Sequence, residues 1–174
     1  MAILVSFSGL PGVGKTSISM NLSTQVKAVH LRVDSVEAAL KRSVLKIHPA
    51  EDAGYLAIAS IAKDNLLIGF DVIADTVNPL DITRELWTIT AAAASAQLLN
   101  VEVICSDTDV HRHRVETRNS DIEGLVVPDW KAVAKRKFEQ WRTERLIVDT
   151  SVSSIEECST KIKNEMERLR STVL

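Results

Sequence analysis

Short apolar runs alternate along this chain with longer segments of helical period. Ala2–Ser8 (AILVSFS) is almost continuously apolar, as a strand covered on both faces must be. Val29–Val33, Asp71–Ala74, Val101–Cys105 and Leu146–Val148 are four further strand-like runs. Between them the spacing predicts helices over Thr16–Val26, Val36–Leu45 and Asp52–Leu67. It predicts four more over Ile82 to about Leu98, Thr108–Arg118, Trp130–Trp141 and Ile155–Leu169. His48-Pro49, Gly69 and Asn78-Pro79 act as breakers, Asp81 as a helix cap, and Asn119–Pro128 as a loop.

Strand–helix alternation over the whole chain predicts an α/β fold, a parallel sheet covered on both faces by right-handed crossovers. Ligands of such sheets bind beyond the carboxyl ends of the strands. Gly9, Asp34, Asp75, Ser106-Asp107 and Asp149 all fall at those ends and are expected to converge on one cleft. Residues 36–67 hold two helices, more than one crossover needs, and the excess is expected to cover a substrate. No repeat or linker divides the chain, so residues 1–174 are expected to form one domain.

Composition narrows the class. The hydrophobic fraction is 45%, the charged fraction 25% and the net charge −2, which argues against an extended nucleic-acid surface. Cys105 and Cys158 are far apart and form no metal-ligand spacing, so two reduced thiols are expected. No apolar stretch reaches the roughly 20 residues a membrane helix needs.

Gly9-Leu10-Pro11-Gly12-Val13-Gly14-Lys15-Thr16 matches the phosphate-loop pattern G-x-x-x-x-G-K-[ST], between a buried strand and a helix, the setting the motif requires. Glycines let the backbone approach phosphate oxygens, and the amides of residues 12–16 form an anion nest on the helix N-terminus. Lys15 is expected on the β and γ phosphates, and the Thr16 hydroxyl on Mg²⁺. Because the loop begins so early, a cleaved leader would remove the first strand, so a cytoplasmic protein is expected.

Asp34 ends the second strand, where a carboxylate faces the γ-phosphate and can accept a proton from an attacking hydroxyl. It could equally cap the following helix, as could Ser35. Asp75 ends the third strand as a Walker B acid would, to hold Mg²⁺ directly or through water; a turn aspartate is the competing reading. Asp107 and Asp109 suit helix capping. Arg114 and Arg118 share one helical face before a glycine-containing loop, so residues 112–136 are expected to act as a lid that brings one of them onto the γ-phosphate. A solvated helix face is the plain alternative, and Arg136 a weaker candidate. Arg84 sits unfavourably near a helix N-terminus, so an outside partner such as a substrate anion is expected. His111 and His113 alternate with arginines and do not read as a metal pair. Trp87, Trp130 and Trp141 are expected as packing anchors.

With these residues in view, the chain resembles a family. Gly9–Ser17 (GLPGVGKTS), Asp34-Ser35, Asp75–Pro79, Thr83–Trp87, Cys105–Asp107, Pro128–Trp130 and Val148–Ser151 look like the small-molecule kinases of the P-loop superfamily. These carry AAA-type ATPase domains and are related to chloramphenicol phosphotransferase, zeta toxins and polynucleotide kinase. The resemblance implies a five-stranded parallel sheet of order 2-3-1-4-5. It implies ATP and Mg²⁺ as cofactors and a phosphotransferase acting on a hydroxyl of a small-molecule acceptor. Gly9, Gly12, Val13, Gly14, Lys15, Thr16 and Ser17 match its nucleotide loop, and Asp34 its base. Asp34, Ser35 and Arg84 are then the expected substrate contacts. Lys15 meets Thr16 without the intervening glycine of adenylate kinases. Shikimate kinases have a paired acid after strand two, and GTPases an N-K-x-D motif; both are absent. Alternatives are an adenylylsulfate kinase-like enzyme and a nucleotide-binding switch or ATPase with no acceptor. A polynucleotide end remains open as an acceptor.

Overall fold

A computed structural model describes residues 1–172; Val173 and Leu174, at the end of the expected domain, lie outside the described residues. Five strands form one parallel sheet: β1 (Ile3–Ser8), β2 (Val29–Arg32), β3 (Val72–Asp75), β4 (Gln97–Ile104) and β5 (Leu146–Asp149). Their order is β2-β3-β1-β4-β5, as the resemblance implies. The helices are α1 (Lys15–Val26), α2 (Val33–Arg42), α3 (Ala53–Leu67), α4 (Asp81–Ala93), α5 (Thr108–Thr117), α6 (Trp130–Ala134) and α7 (Ile155–Ser171).

β1 lies at the centre and every one of its residues is buried, which is why its sequence shows no polar alternation. Phe7 packs on one face with Ile18 and Leu22 of α1 and Ile162 and Met166 of α7. Leu4 packs on the other with Ile58 and Leu66 of α3 and Trp87 of α4. Each such side chain contributes about 1.5–3 kcal/mol on burial. The sandwich holds β1 rigid and fixes the loop that leaves it at Ser8.

Three expectations fail in instructive ways. The helix read to Leu98 ends at Ala93, and Gln97–Asn100 pair with Ile3–Ser6 as the start of β4. Ser95 takes a left-handed backbone (φ 50°), which stops the helix. The helix read over Trp130–Trp141 stops at Ala134. Its continuation bonds elsewhere: Glu139 N–H donates to Pro79 O at 2.8 Å, and Glu139 Oε2 accepts from Asp81 N–H at 2.8 Å. Finally, α2 begins at Val33, so Asp34 and Ser35 belong to its first turn.

The tips of β4 and β5 are tied by one carboxylate. Asp149 Oδ1 accepts from Ser106 N–H at 3.1 Å, Ser151 N–H at 2.9 Å and the Ser151 hydroxyl at 2.7 Å. Burial alone would raise its pKa, but the bonds from Ser106 and Ser151 outweigh burial and hold it down to about 2. The folded value thus lies below the ordinary 3.8. The resulting stability is fully present above that ordinary value and is lost as the pH falls toward 2. Wild type is therefore expected to exceed Asp149→Asn in urea midpoint at pH 6. The gap should narrow below pH 4 and close toward pH 2, as followed by circular dichroism; a gap independent of pH refutes the assignment.

Candidate active site

The loop after β1 is built by its backbone. Gly9 (φ 140°) leaves no room for a side chain, since an added Cβ would lie 2.2 Å from Val103 O. At Gly12 (φ 88°) it would meet Val115 Cγ2 at 2.5 Å. Three loop carbonyls are each held by a donor. Leu10 O accepts from Lys15 Nζ at 2.9 Å, Pro11 O from His111 Nε2 at 2.9 Å, and Val13 O from the Thr150 hydroxyl at 2.8 Å. In a planar trans peptide the N–H points opposite to the C=O. Fixing the Pro11 and Val13 carbonyls outward therefore turns the Gly12 and Gly14 amides the other way, toward an anion. His111 is buried and packs edge-on against Trp130, 5.2 Å between ring centroids. Residues from α5, α6 and the β5 tip thus shape the nest.

Lys15 is buried, and burial pushes its pKa down to about 8 although Asp75 and Asp34 pull it up; Arg118 and Arg136 push it down further. A cation so placed lacks sufficient counter-charge until a polyanion arrives. Asp75 closes β3 and is 3% exposed. Burial raises its pKa, but His30, Lys15 and Thr16 outweigh this and hold it below the usual carboxylate range. His30 Nε2 lies 3.5 Å from Asp75 Oδ2 but is hydrogen-bonded to Ser19 Oγ at 3.0 Å. Oδ2 itself is shielded from solvent and has no hydrogen-bond partner.

An orphaned carboxylate oxygen beside the Thr16 hydroxyl has the donor chemistry for Mg²⁺, a hard cation served by oxygen. Among the described residues no group of three or more His, Cys, Asp or Glu is placed to hold a metal. A Mg²⁺ carried by phosphates and water needs only one or two protein oxygens, so the pair fits that ion.

A cleft of about 1020 Å³ opens over the loop. Gly12, Gly14, Lys15, Thr16 and Ser17 line its floor, and Asp34, Glu37, Asp75 and Arg32 its β2–α2 side. Arg114, Arg118, Arg136 and residues of the 119–128 loop line the cleft as well, and that loop is tied to the β2–α2 side by Asp121 on Arg32 and Glu123 on Arg42. Asp34 and Glu37 are three apart on α2 and so share a face. Burial, then the charge of Asp34, pushes the Glu37 carboxyl up, with Arg136 opposing. Sequence alone does not single out Glu37, because a helix starting at Val36 hides the i+3 relation to Asp34 that a start at Val33 reveals. From residues 36–67, only Glu37 reaches the cleft, while α3 packs against α2, α4 and the sheet.

The arginines separate. Both ends of the Arg114 fork are on Thr150: Nη1 to the hydroxyl at 2.7 Å and Nη2 to the carbonyl at 2.9 Å. Arg118 faces the cleft, and its Nε is buried without a partner. Arg84 is not brought to the cleft. Its expected outside partner is internal: Nη2 donates to Glu139 O at 2.7 Å, Nη1 to Asp81 at 3.1 Å, and the guanidinium lies 4.2 Å from the Trp141 ring centroid. Ser35 is exposed and does not line the cleft. Asp107 caps α5, accepting from the amides of Asp109 and Val110. Among the described residues no helix is long and apolar enough to cross a membrane.

A glycine loop between a central buried strand and a helix, in a parallel sheet of order 2-3-1-4-5, defines a protein of the P-loop kinase fold. The chain belongs to the AAA domain family, whose model matches residues 4–143. No curated protein matches it in sequence. Three solved structures show how general the architecture is. A candidate kinase of Chloroflexus aurantiacus J-10-fl superposes with a TM-score of 0.74 at 17% identity, over 96% of this chain and 97% of that one. The Mycobacterium tuberculosis APS kinase CysC, in complex with AMPPNP and APS, gives 0.68 at 18% identity over 95% and 98%. A gluconokinase of Sinorhizobium meliloti 1021 gives 0.65 at 17% identity over 99% and 94%. At these identities the likeness is one of fold.

Proposed function

We propose that the protein is an ATP- and Mg²⁺-dependent phosphotransferase that moves the γ-phosphoryl group to a hydroxyl of a small molecule. The observation that carries this reading is that one cleft holds both the phosphate loop and the carboxylates Asp34 and Glu37. A site that only bound nucleotide has no use for that second acidic wall. ATP phosphates lie on the amides of residues 12–16, with Lys15 between the β and γ groups. Thr16 and Asp75 would hold Mg²⁺, which when bound would offset negative charge on the phosphates. Asp34 takes the proton of the acceptor hydroxyl as its oxygen attacks γ-phosphorus in line. The bond to the β–γ bridging oxygen breaks and ADP leaves. Arg118, free where Arg114 is tied, stabilises the charge spread over the equatorial oxygens. Residues 112–136 act as the lid, and of residues 36–67 Glu37 alone faces the acceptor. The free thiols Cys105 and Cys158 suit a reducing cytoplasm.

The test is ADP release from ATP in the presence of a panel of sugars, sugar acids, nucleosides and aminoglycosides, with products identified by mass spectrometry. At least one alcohol is expected to raise ADP release well above the water background and to gain one phosphoryl group. Release at the water rate across the panel would favour a switch or ATPase and sink the proposal.

A further inference from the structure

Arg32, the last residue of β2, is an odd charge for a pure nucleotide site. The cleft carries five cations, Lys15, Arg32, Arg114, Arg118 and Arg136. In the proposed function Lys15 and Arg118 serve the triphosphate, and Arg114 is tied to Thr150. Arg32 stands at the end of β2, two residues before Asp34. Its side chain is 16% exposed. Desolvation works against the cation, but Asp121 with Asp75 and Asp34 outweighs it and keeps the guanidinium firmly charged; Arg118 lies close enough to feel the same charge.

The guanidinium is only partly satisfied. Both oxygens of Asp121 sit on the single nitrogen Nη1, at 3.0 and 2.7 Å. Nε is buried, has no hydrogen-bond partner, and lies 4.0 Å from Asp75 Oδ2. A planar five-donor fork is best met by an anion that takes two of its nitrogens at once. Asp121 does not do so. It rides on the 119–128 loop with its side chain 67% exposed, and an ion pair so open to water adds little stability. It is therefore a partner easily displaced.

We infer that Arg32 anchors an anionic group of the acceptor, a carboxylate or phosphate, and that the Asp121 carboxylate occupies this anchor until the acceptor replaces it. The inference rests on the phosphotransferase reading and narrows it. Arg32 and Asp34 are two residues apart on one wall, so the acceptor carries its anion within a few bonds of the hydroxyl that is phosphorylated. Short hydroxy acids and phosphorylated alcohols have that form; neutral and polycationic alcohols do not.

The experiment uses the full chain saturated with AMPPNP and Mg²⁺, so that the γ-phosphate position is filled. Inorganic phosphate and glycolate are then titrated separately, following arginine Nε–H resonances by NMR. The Arg32 Nε–H signal is expected to shift saturably with at least one of the two, and which one tells phosphate from carboxylate. Asp121→Asn, at an exposed position that does not threaten folding, should tighten that anion about three- to fivefold by removing a competitor. Arg32→Gln should weaken it about tenfold or more. Asp121→Asn should keep AMPPNP affinity within about twofold, since Asp121 contacts neither the nucleotide loop nor Asp75. Arg32→Gln also removes a charge 4.0 Å from Asp75 Oδ2, so its anion affinity is compared at saturating AMPPNP and Mg²⁺. No saturable shift with either anion, or an Asp121→Asn variant that binds the anion no better, overturns the inference and leaves the phosphotransferase standing. Failure to load AMPPNP at the outset overturns both.

Discussion

Lys15→Met is expected to lower turnover by on the order of a thousandfold, and to leave the nucleotide-free protein at least as stable as wild type. The two halves come from the same fact. Burial holds the ammonium at about 8 instead of 10.5. The folded value lies below the unfolded one, so at neutral pH the bound proton opposes folding; that opposition fades as the pH rises from about 8 toward 10.5. Methionine keeps the aliphatic stem and removes the charge. It forfeits the bond to Leu10 O, worth about 1.5–3 kcal/mol for a charged donor, and relieves a desolvation penalty of that order. In wild type a bound triphosphate would supply the missing counter-charge, so ATP is expected to raise the melting temperature. In Lys15→Met that rise should nearly vanish while the unliganded midpoint holds or increases. Differential scanning fluorimetry with and without Mg·ATP reads both halves. A variant that melts lower and still gains fully from ATP would show Lys15 to be a structural tether of the loop.

What the sequence made legible follows how local each signal is. Gly9–Thr16 announces itself because the geometry of an anion nest is written in eight consecutive residues. The strand order was reachable through resemblance, and β1 through its unbroken apolarity. The clamps on the loop were not legible: His111 reaches Pro11 from 100 residues away and Thr150 reaches Val13 from 137. No periodicity reports such pairs. The early stop of α6 had the same origin, since Glu139 is drawn to Pro79 and Asp81 rather than to its own helix. Arg84 misled for a physical reason. A cation at a helix N-terminus does need a partner, and it found one inside the fold, at Glu139 O and the Trp141 ring. Gln97 and Asn100 disguised the start of β4, because their polar side chains fall at half-buried positions beside the central strand.

Asp34→Asn is expected to slow phosphoryl transfer by about 10²–10⁴-fold while nucleotide affinity stays within about twofold. Asparagine keeps the size and place of the side chain on the first turn of α2, so the substitution removes the proposed proton acceptor and little else. Glu37 is the necessary control, because it shares the cleft and the helix face with Asp34. Its carboxyl is pushed up by burial and then by the charge of Asp34, which makes Glu37 the rival base. Asp34 is the one whose charge reaches Lys15, and so stands nearer the phosphates; Glu37→Gln is therefore expected to cost less, about tenfold at most. With the acceptor found by the panel, single-turnover rates for both variants separate the roles, and AMPPNP titrations check that loading is intact. If Glu37→Gln is the crippled enzyme and Asp34→Asn the mild one, the proton goes to Glu37, and Asp34 acts by raising its basicity. If neither slows transfer, the acidic wall binds the acceptor without taking its proton, and the hydroxyl is deprotonated only after it has bonded to phosphorus.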